Sequence, residues 1–308
     1  MSEKNPSTAG KTAVLLLAHG TPDSLDEIPE YLRNVTGGRL LPESIVEEIR
    51  HRYSLIGSSP LTRLTLEQGE MLSDDLDLPV YVGMRNWKPY IADVVSAMRA
   101  GGVTRFAAIC LAPQNSRTSV GLYRRALFAE TDGMKVDFTE GWADHPLLAD
   151  AFAERLRAVW TPGTAVLFTA HSVPMRTLQS TPDAPADPYA DEARRTAAMV
   201  AERVGLDPDE WHFAFQSQGQ SGGPWIGPTV EDTLTALRAQ EIDRVILQPI
   251  GFLCDHIEIL YDIDIAFNRY AAGLGMELLR TESLNDSHLL TDALANLARK
   301  GLARLDEE

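Results

Sequence analysis

Within Asp255-His256-Ile257-Glu258-Ile259-Leu260-Tyr261-Asp262, three carboxylates and an imidazole follow directly on the apolar run Pro249-Ile250-Gly251-Phe252-Leu253. Read as an α-helix, the i, i+3 and i+4 spacing puts Asp255, Glu258 and Asp262 on one face with apolar residues between them. A line of carboxylates that begins where a buried strand ends is a path for a cation. A solvated acidic helix face has the same spacing, but the apolar flanks and the preceding strand weigh against it. Two further histidines sit in a phrase written twice, Leu17-Ala18-His19-Gly20-Thr21-Pro22 and Thr169-Ala170-His171-Ser172-Val173-Pro174. Each phrase follows a β-prone run, Val14 to Leu17 or Ala165 to Phe168, and proline then forbids continuation of the ladder. A lone histidine at a strand end often only satisfies a loop, whereas two in equivalent places can face one cleft, because ligands of open α/β sheets bind at the carboxyl ends of the strands.

The elements that must carry these residues repeat as well. Ala97 to Phe106 lies over Ala236 to Val245 with matching residue classes, and both read as an amphipathic helix feeding a strand. Ile91, Val94, Val95 and Met98 fall at helical spacing, as do Val230, Leu234 and Leu237. The strands that follow, Phe106 to Leu111 and Val245 to Leu247, again run into prolines. Helices alternating with short apolar strands imply parallel sheets joined by right-handed crossovers. The expected fold is therefore α/β, two similar Rossmann-like, doubly wound domains facing a central cleft, over residues 1–150 and 151–308. The boundary falls between Glu140 and Gly163, where a helix-like stretch from Leu147 to Val159 is placed to cross from one domain to the other. The stretch from Thr181 to Pro188 reads as a surface loop. The terminal segment, Leu289 to Leu305, reads as an amphipathic helix able to pack back on the first domain.

Composition removes several classes of function. With 308 residues, 44% of them hydrophobic, the chain has material for two domains. A net charge of −16 argues against nucleic acid or an anionic membrane surface as partner. No apolar run is long enough for a membrane span, and the start, Met1-Ser2-Glu3-Lys4-Asn5-Pro6, lacks the apolar core of a secretory signal, so a cytoplasmic protein is expected. Cys110 and Cys254 are the only cysteines and lie in apolar segments, which favours buried thiols over a disulfide or a structural metal site; four-cysteine ligation of an iron–sulfur cluster is impossible. The polar, Gly-rich stretch from Phe215 to Pro228 is a long loop of the kind that usually has a function, but it matches neither a Walker phosphate loop nor a dinucleotide fingerprint.

Ala170-His171-Ser172-Val173-Pro174, Gln216-Ser217 with Pro224-Trp225-Ile226-Gly227-Pro228, and Pro249-Ile250-Gly251-Phe252 with Asp255-His256-Ile257-Glu258-Ile259-Leu260-Tyr261 together resemble the ferrochelatase family. The first half agrees through Ala18 to Pro22, Ile56-Gly57-Ser58-Ser59-Pro60-Leu61, and Leu111-Ala112-Pro113 with Ser119-Val120 and Tyr123. The resemblance runs from about residue 12 to 303. It implies insertion of ferrous iron, as substrate, into a porphyrin held between the domains, in haem biosynthesis. It also implies that His171 and Glu258 are the catalytic and metal-binding pair on one porphyrin face. Those residue types suit the chemistry: insertion must strip water from Fe²⁺ and remove two pyrrole protons, and imidazole with carboxylate binds a first-row metal without locking it in.

Arg52, Tyr53, Ser59 and Tyr123 match positions that resemble the propionate-contacting residues of the coproporphyrin-using branch; guanidinium is suited to paired carboxylate contacts. Arg52-Tyr53 could equally cap the preceding helix. His19 departs from the pattern, for Gram-positive coproporphyrin enzymes commonly carry tyrosine there as axial ligand to product iron. The expectation is that His19 approaches the other porphyrin face and binds haem iron after insertion. Coproporphyrin III, with four propionates, is the expected porphyrin and coprohaem the product, with no prosthetic group, a monomeric state and a downstream coprohaem decarboxylase as partner. Rival readings are a protoporphyrin IX ferrochelatase, a non-catalytic haem- or porphyrin-binding protein, a cobalt or nickel chelatase and a periplasmic-type binding protein. Glu258 counts against the cobalt and nickel enzymes, which tend to carry a second histidine there.

Overall fold

The computed structural model describes residues 10–219 and 223–307. Met1 to Pro6, and Gln220, Ser221 and Gly222 of the Gly-rich stretch, lie outside the described residues. The first half runs β1 (Lys11–Ala18), α1 (Ile28–Val35), α2 (Glu43–Ile56), α3 (Leu61–Leu76), β2 (Val80–Met84), α4 (Ile91–Ala100), β3 (Val103–Cys110), α5 (Val120–Phe128) and β4 (Lys135–Thr139). After α6 (Pro146–Arg157) come β5 (Ala165–His171), α7 (Met175–Leu178), α8 (Tyr189–Val204), β6 (Trp211–Gln216), α9 (Val230–Ala239) and β7 (Arg244–Pro249). A π-helix (Glu258–Phe267), α10 (Asn268–Gly273), β8 (Glu277–Arg280) and α11 (His288–Glu307) complete the chain.

The two sheets are parallel throughout and share one strand order, β2-β1-β3-β4 and β6-β5-β7-β8. The duplication read from two short phrases thus extends to the whole sheet. In that order the chain leaves the first strand to one side and returns on the other, so the crevice opens at the carboxyl ends of β1 and β3, and of β5 and β7. His19 follows the last residue of β1 and His171 is the last residue of β5. The two histidines therefore stand beside the two switch points.

Alternate β1 side chains face different layers, as a strand buried on both faces requires. Leu15 and Leu17 pack with Val95, Met98 and Leu127 on one face. Val14 and Leu16 belong to a second apolar cluster that continues through Phe152, Phe168, Phe215 and Leu294, so one core spans both halves. Helix α11 contributes to that core while lying against α3, β3, β4 and α6, and Arg304 holds it to β4 with two hydrogen bonds to Asp137, each 2.7 Å. Among the described helices none is long and apolar enough to cross a membrane.

Spacing in the last acidic segment predicts an α-helix beginning at Asp255, and the structure differs. The helix starts at Glu258 and is of the π type, with Asp255 in the loop before it. Ile259, Ile263 and Phe267 are its buried residues. These positions recur every fourth residue, a spacing that keeps them within one broad face of the helix. Glu258 and Asp262 follow the same repeat one residue earlier.

Candidate active site

A cavity of about 380 Å³ opens at the carboxyl ends of the strands, lined by His19, Arg85 and Tyr123 from the first half and His171, His256 and Glu258 from the second. Two glycines make room for the histidines. Gly20 turns the chain at φ 78°, where a Cβ would meet the Met84 and Trp87 side chains at 2.9 Å. At Gly251 the loop leaving β7 passes so close to β5 that a Cβ would lie 2.9 Å from the Ala170 Cα, next to His171.

In the second half His171 Nδ1 bonds the Ser172 carbonyl, which can only accept. Nδ1 therefore carries a proton, and Nε2 is the nitrogen left for chemistry. It lies 3.5 Å from Glu258 Oε1, and the side chains of His171 and Glu258 keep 35% and 31% of their surfaces accessible. Glu258 Oε2 is buried and, among the described residues, has no hydrogen-bond partner. Burial opposes charge on both groups, but each is outweighed by the opposite charge and hydrogen bond of the other, with the Ser172 carbonyl also favouring the cation. His171 is thus raised above its ordinary value and Glu258 lowered. Both directions favour the charged pair, an imidazolium beside a carboxylate. The Tyr189 hydroxyl donates to the His171 carbonyl at 2.8 Å and so holds the strand end in place.

The first half surrounds its histidine differently. His19 Nε2 lies 3.0 Å from the Tyr31 hydroxyl, and the Asn86 amide nitrogen is 3.1 and 3.0 Å from Nδ1 and Nε2. Among the described residues no carboxylate is bonded to it. Burial, then the charge of Arg85, pushes His19 down to about 3, so it is neutral throughout the physiological range. Arg85 itself lies over the Tyr123 ring, 5.4 Å from its centre.

The structure gathers some of the sequence-derived candidates and separates others. His19, Tyr123, His171 and Glu258 line one cavity. Arg52, on α2, donates to Glu48 at 2.9 Å, lies 3.8 Å from Asp262 and sits 4.9 Å from the Tyr261 ring centre, alongside the π-helix. Tyr53 is buried with Tyr31 and Trp87 and borders a smaller cavity of about 200 Å³ beside Pro22 and Gly57. Ser59 is buried before α3, its Oγ 3.5 Å from the Leu61 amide nitrogen. Cys110 and Cys254 are buried free thiols, and burial raises Cys254 to about 12.

Of the expected acidic line, only Asp262 joins Glu258. Its carboxylate accepts from Ser217, and burial, opposed by that bond, lifts it to about 6. Asp255 instead pairs with Arg280, Ser283 and Asn285. The line is broken because the helix does not extend back to Asp255.

Tyr31, Arg85 and His256 line the cavity and Asn86 bonds His19, and all four escaped the sequence reading as functional residues. Arg85 and Asn86 follow β2 as His19 follows β1, and position at a strand end was the signal that could have found them. His256 bonds the Cys254 carbonyl through Nδ1 at 3.0 Å and lies with its ring tilted by 50° against that of Phe252, 4.6 Å between centres, while burial lowers it.

Comparison with known proteins is consistent from end to end. The sequence profile described as Ferrochelatase matches residues 11–302. A "Ferrochelatase" of Acidobacterium capsulatum is 63% identical, over 96% of each chain. A "Coproporphyrin III ferrochelatase" of a Geobacillus species is 31% identical, covering 94% of this chain and 97% of that one. Among solved structures, the sirohydrochlorin chelatase SirB of Bacillus subtilis subspecies spizizenii, in complex with cobalt, superposes with a TM-score of 0.59 at 12% identity, covering 97% of this chain and 98% of that one. At that identity the likeness concerns the fold alone.

Proposed function

The chain belongs to the ferrochelatase family, whose members insert iron into porphyrin in haem synthesis, and we propose that this one makes coprohaem from ferrous iron and coproporphyrin III. The observation that carries the reading of the site is the His171–Glu258 pair with its unpartnered Glu258 Oε2. A buried carboxylate oxygen without a donor leaves stabilisation unused unless a cation or proton reaches it.

Insertion exchanges one Fe²⁺ for two pyrrole protons. A dication arriving at Glu258 Oε2 cancels the charge that holds the proton on His171, and that proton leaves through the cleft. Nε2 then has a lone pair to accept the two pyrrole protons one after the other, passing each out through the cleft, while Nδ1–H stays on the Ser172 carbonyl and fixes the ring. His171 and Glu258 thus act as one unit that trades a proton for a metal. His19, already neutral, has no proton to trade and serves as the candidate ligand to product iron from the other porphyrin face.

The name of the Geobacillus relative supports coproporphyrin III, as do the polar groups near the cleft suited to propionates: Tyr123 in the cavity and Arg52 beside Asp262. Tyr53, at the smaller cavity, and Ser59, next to Ser58 on its rim, are the further members of the proposed propionate set. The enzyme works in this reading as a cytoplasmic monomer without prosthetic group or iron–sulfur cluster, and passes coprohaem to a decarboxylase. Protoporphyrin IX is the second reading, favoured by the plain name of the 63% identical relative. Anaerobic Fe²⁺ insertion with the two porphyrins side by side separates them. A kcat/KM at least about tenfold higher for coproporphyrin III is expected, and equal or higher efficiency with protoporphyrin IX overturns the assignment.

A further inference from the structure

Glu258 is carried by a loop and a π-helix rather than by a strand, yet its carboxylate must stay within reach of His171 on β5. The loop from Gly251 to Ile257 and the helix after it are tied to neighbouring elements at several places, Ser217 bonding Asp262 and Gln216 the Glu258 carbonyl among them, and both flanks of Glu258 meet at the last residue of the edge strand β8. There Arg280 donates from Nε and Nη2 to the two oxygens of Asp264 at 2.6 and 3.0 Å, and from Nη1 to Asp255 at 3.2 Å. The remaining capacity of Asp255 is filled by Ser283 at 2.6 Å and Asn285 at 3.1 Å, and the Asp255 amide donates back to Asn285 at 2.9 Å. Asp255 precedes Glu258 by three residues and Asp264 follows it by six, so one guanidinium grips both flanks. Arg280 keeps only 16% of its side chain accessible, which makes this a partly desolvated, bidentate clasp and not a loose surface pair. β8 gives it a fixed base, since Arg280 is in register with Leu247 of β7.

The clasp also reaches the first half. Gln68 of α3 is buried and donates to the Asn285 carbonyl and to Cys254 Sγ, while Leu61 and Thr65 of the same helix line the cavity. Arg280, Asp255 and Asp264 are not among the described residues that line the cavity.

We infer that Arg280 is a positioning residue for Glu258: by clasping Asp255 and Asp264 it sets the Glu258–His171 separation, and with it the productive handling of ferrous iron, without touching the porphyrin. This rests on the role given to Glu258 above. An error of about 1 Å in a reacting group can slow a reaction by about a hundredfold, and a group that orients a metal ligand typically changes affinity or activity by about ten- to a hundredfold when lost.

The test compares Arg280→Met, Arg280→Lys and Asp264→Asn in the full chain, measuring anaerobic insertion against iron concentration, porphyrin affinity by fluorescence quenching, and thermal unfolding. Arg280→Met should reduce kcat/KM for Fe²⁺ by about tenfold or more while porphyrin affinity stays unchanged, and Arg280→Lys should recover part of the loss. Asp264→Asn should act in the same direction but more weakly, and it serves as the test if Arg280→Met does not fold. Unchanged iron kinetics in a folded variant overturns the inference. A parallel loss of porphyrin affinity does the same, because it signals a merely structural role. Glu258→Gln is the control: if it inserts iron normally, the reading of Glu258 itself fails, and if it is inactive while Arg280→Met is normal, only the clasp fails.

Discussion

The His19 and His171 regions start from the same phrase at the end of the same strand in two sheets of the same order, and arrive at opposite electrostatics. His171 faces a carboxylate and is raised, while His19 faces a phenol, an amide and the charge of Arg85, and falls to about 3. Backbone duplication places an imidazole at each switch point, but neighbours from other strands decide its charge. Glu258 comes from the connection after β7, and Asn86 and Arg85 come from the end of β2. The same scaffold thereby presents a group that can exchange a proton for a metal on one side and a permanently neutral nitrogen on the other.

The largest test of that difference is removal of each histidine. His171→Ala should slow insertion by about a hundredfold or more while porphyrin binding is retained, as loss of a general base requires. A variant that binds porphyrin and inserts iron at the normal rate would remove His171 from the mechanism. His19→Ala should instead change the optical spectrum of bound product, and an unaltered spectrum would exclude it as the iron ligand.

The pH dependence has a definite sign. His171 is pushed up from 6.5 to about 9, so the fraction able to accept a pyrrole proton grows across that window, and insertion should accelerate as pH rises through it. Stability should run the other way. The ion pair stabilises the fold fully below pH 6.5, and that contribution is lost as pH rises through about 9. At the acid end Glu258 is lowered from 4.5 to about 2, so its contribution is present above 4.5 and lost as pH falls through 2. Paired pH–rate and pH–unfolding curves check both signs, and a rate that declines from pH 6.5 to 9 in the intact protein would refute the exchange of proton for metal.

The smallest expected effect sharpens the comparison by making the halves alike. Asn86→Asp sets a carboxylate beside His19, as Glu258 stands beside His171, and should move His19 upward from about 3, measured by ¹⁵N chemical shift. If His19 does not move, burial and Arg85 outweigh a carboxylate placed there.

The buried apolar runs ending in Ala18 and Ala170, followed by proline, made strand ends, switch points and duplication readable, because a strand buried on both faces leaves a continuous hydrophobic signature. Glu258 was visible for the same reason: it lies a few residues beyond such a strand. The π-helix has no signature in the sequence, because the four-residue repeat of Ile259, Ile263 and Phe267 fits one broad face of an α-helix as well. The α-helical spacing put Asp255 on one face with Glu258, whereas Asp255 lies in the loop before the helix. Arg280 and Asn86 were silent because their importance comes from contacts with residues 16 or more positions away, and no local pattern records those. Arg52 sits against Asp262 and Tyr261 as well as Glu48, so in sequence its helix-bound and cleft-side contacts look the same.

Single-turnover anaerobic Fe²⁺ insertion in His171→Ala and His19→Ala, with coproporphyrin III prebound, measures the inequality of the two histidines directly. His171→Ala should lose about a hundredfold or more of the insertion rate and His19→Ala less than about tenfold. Equal losses, or a larger loss in His19→Ala, would contradict the account.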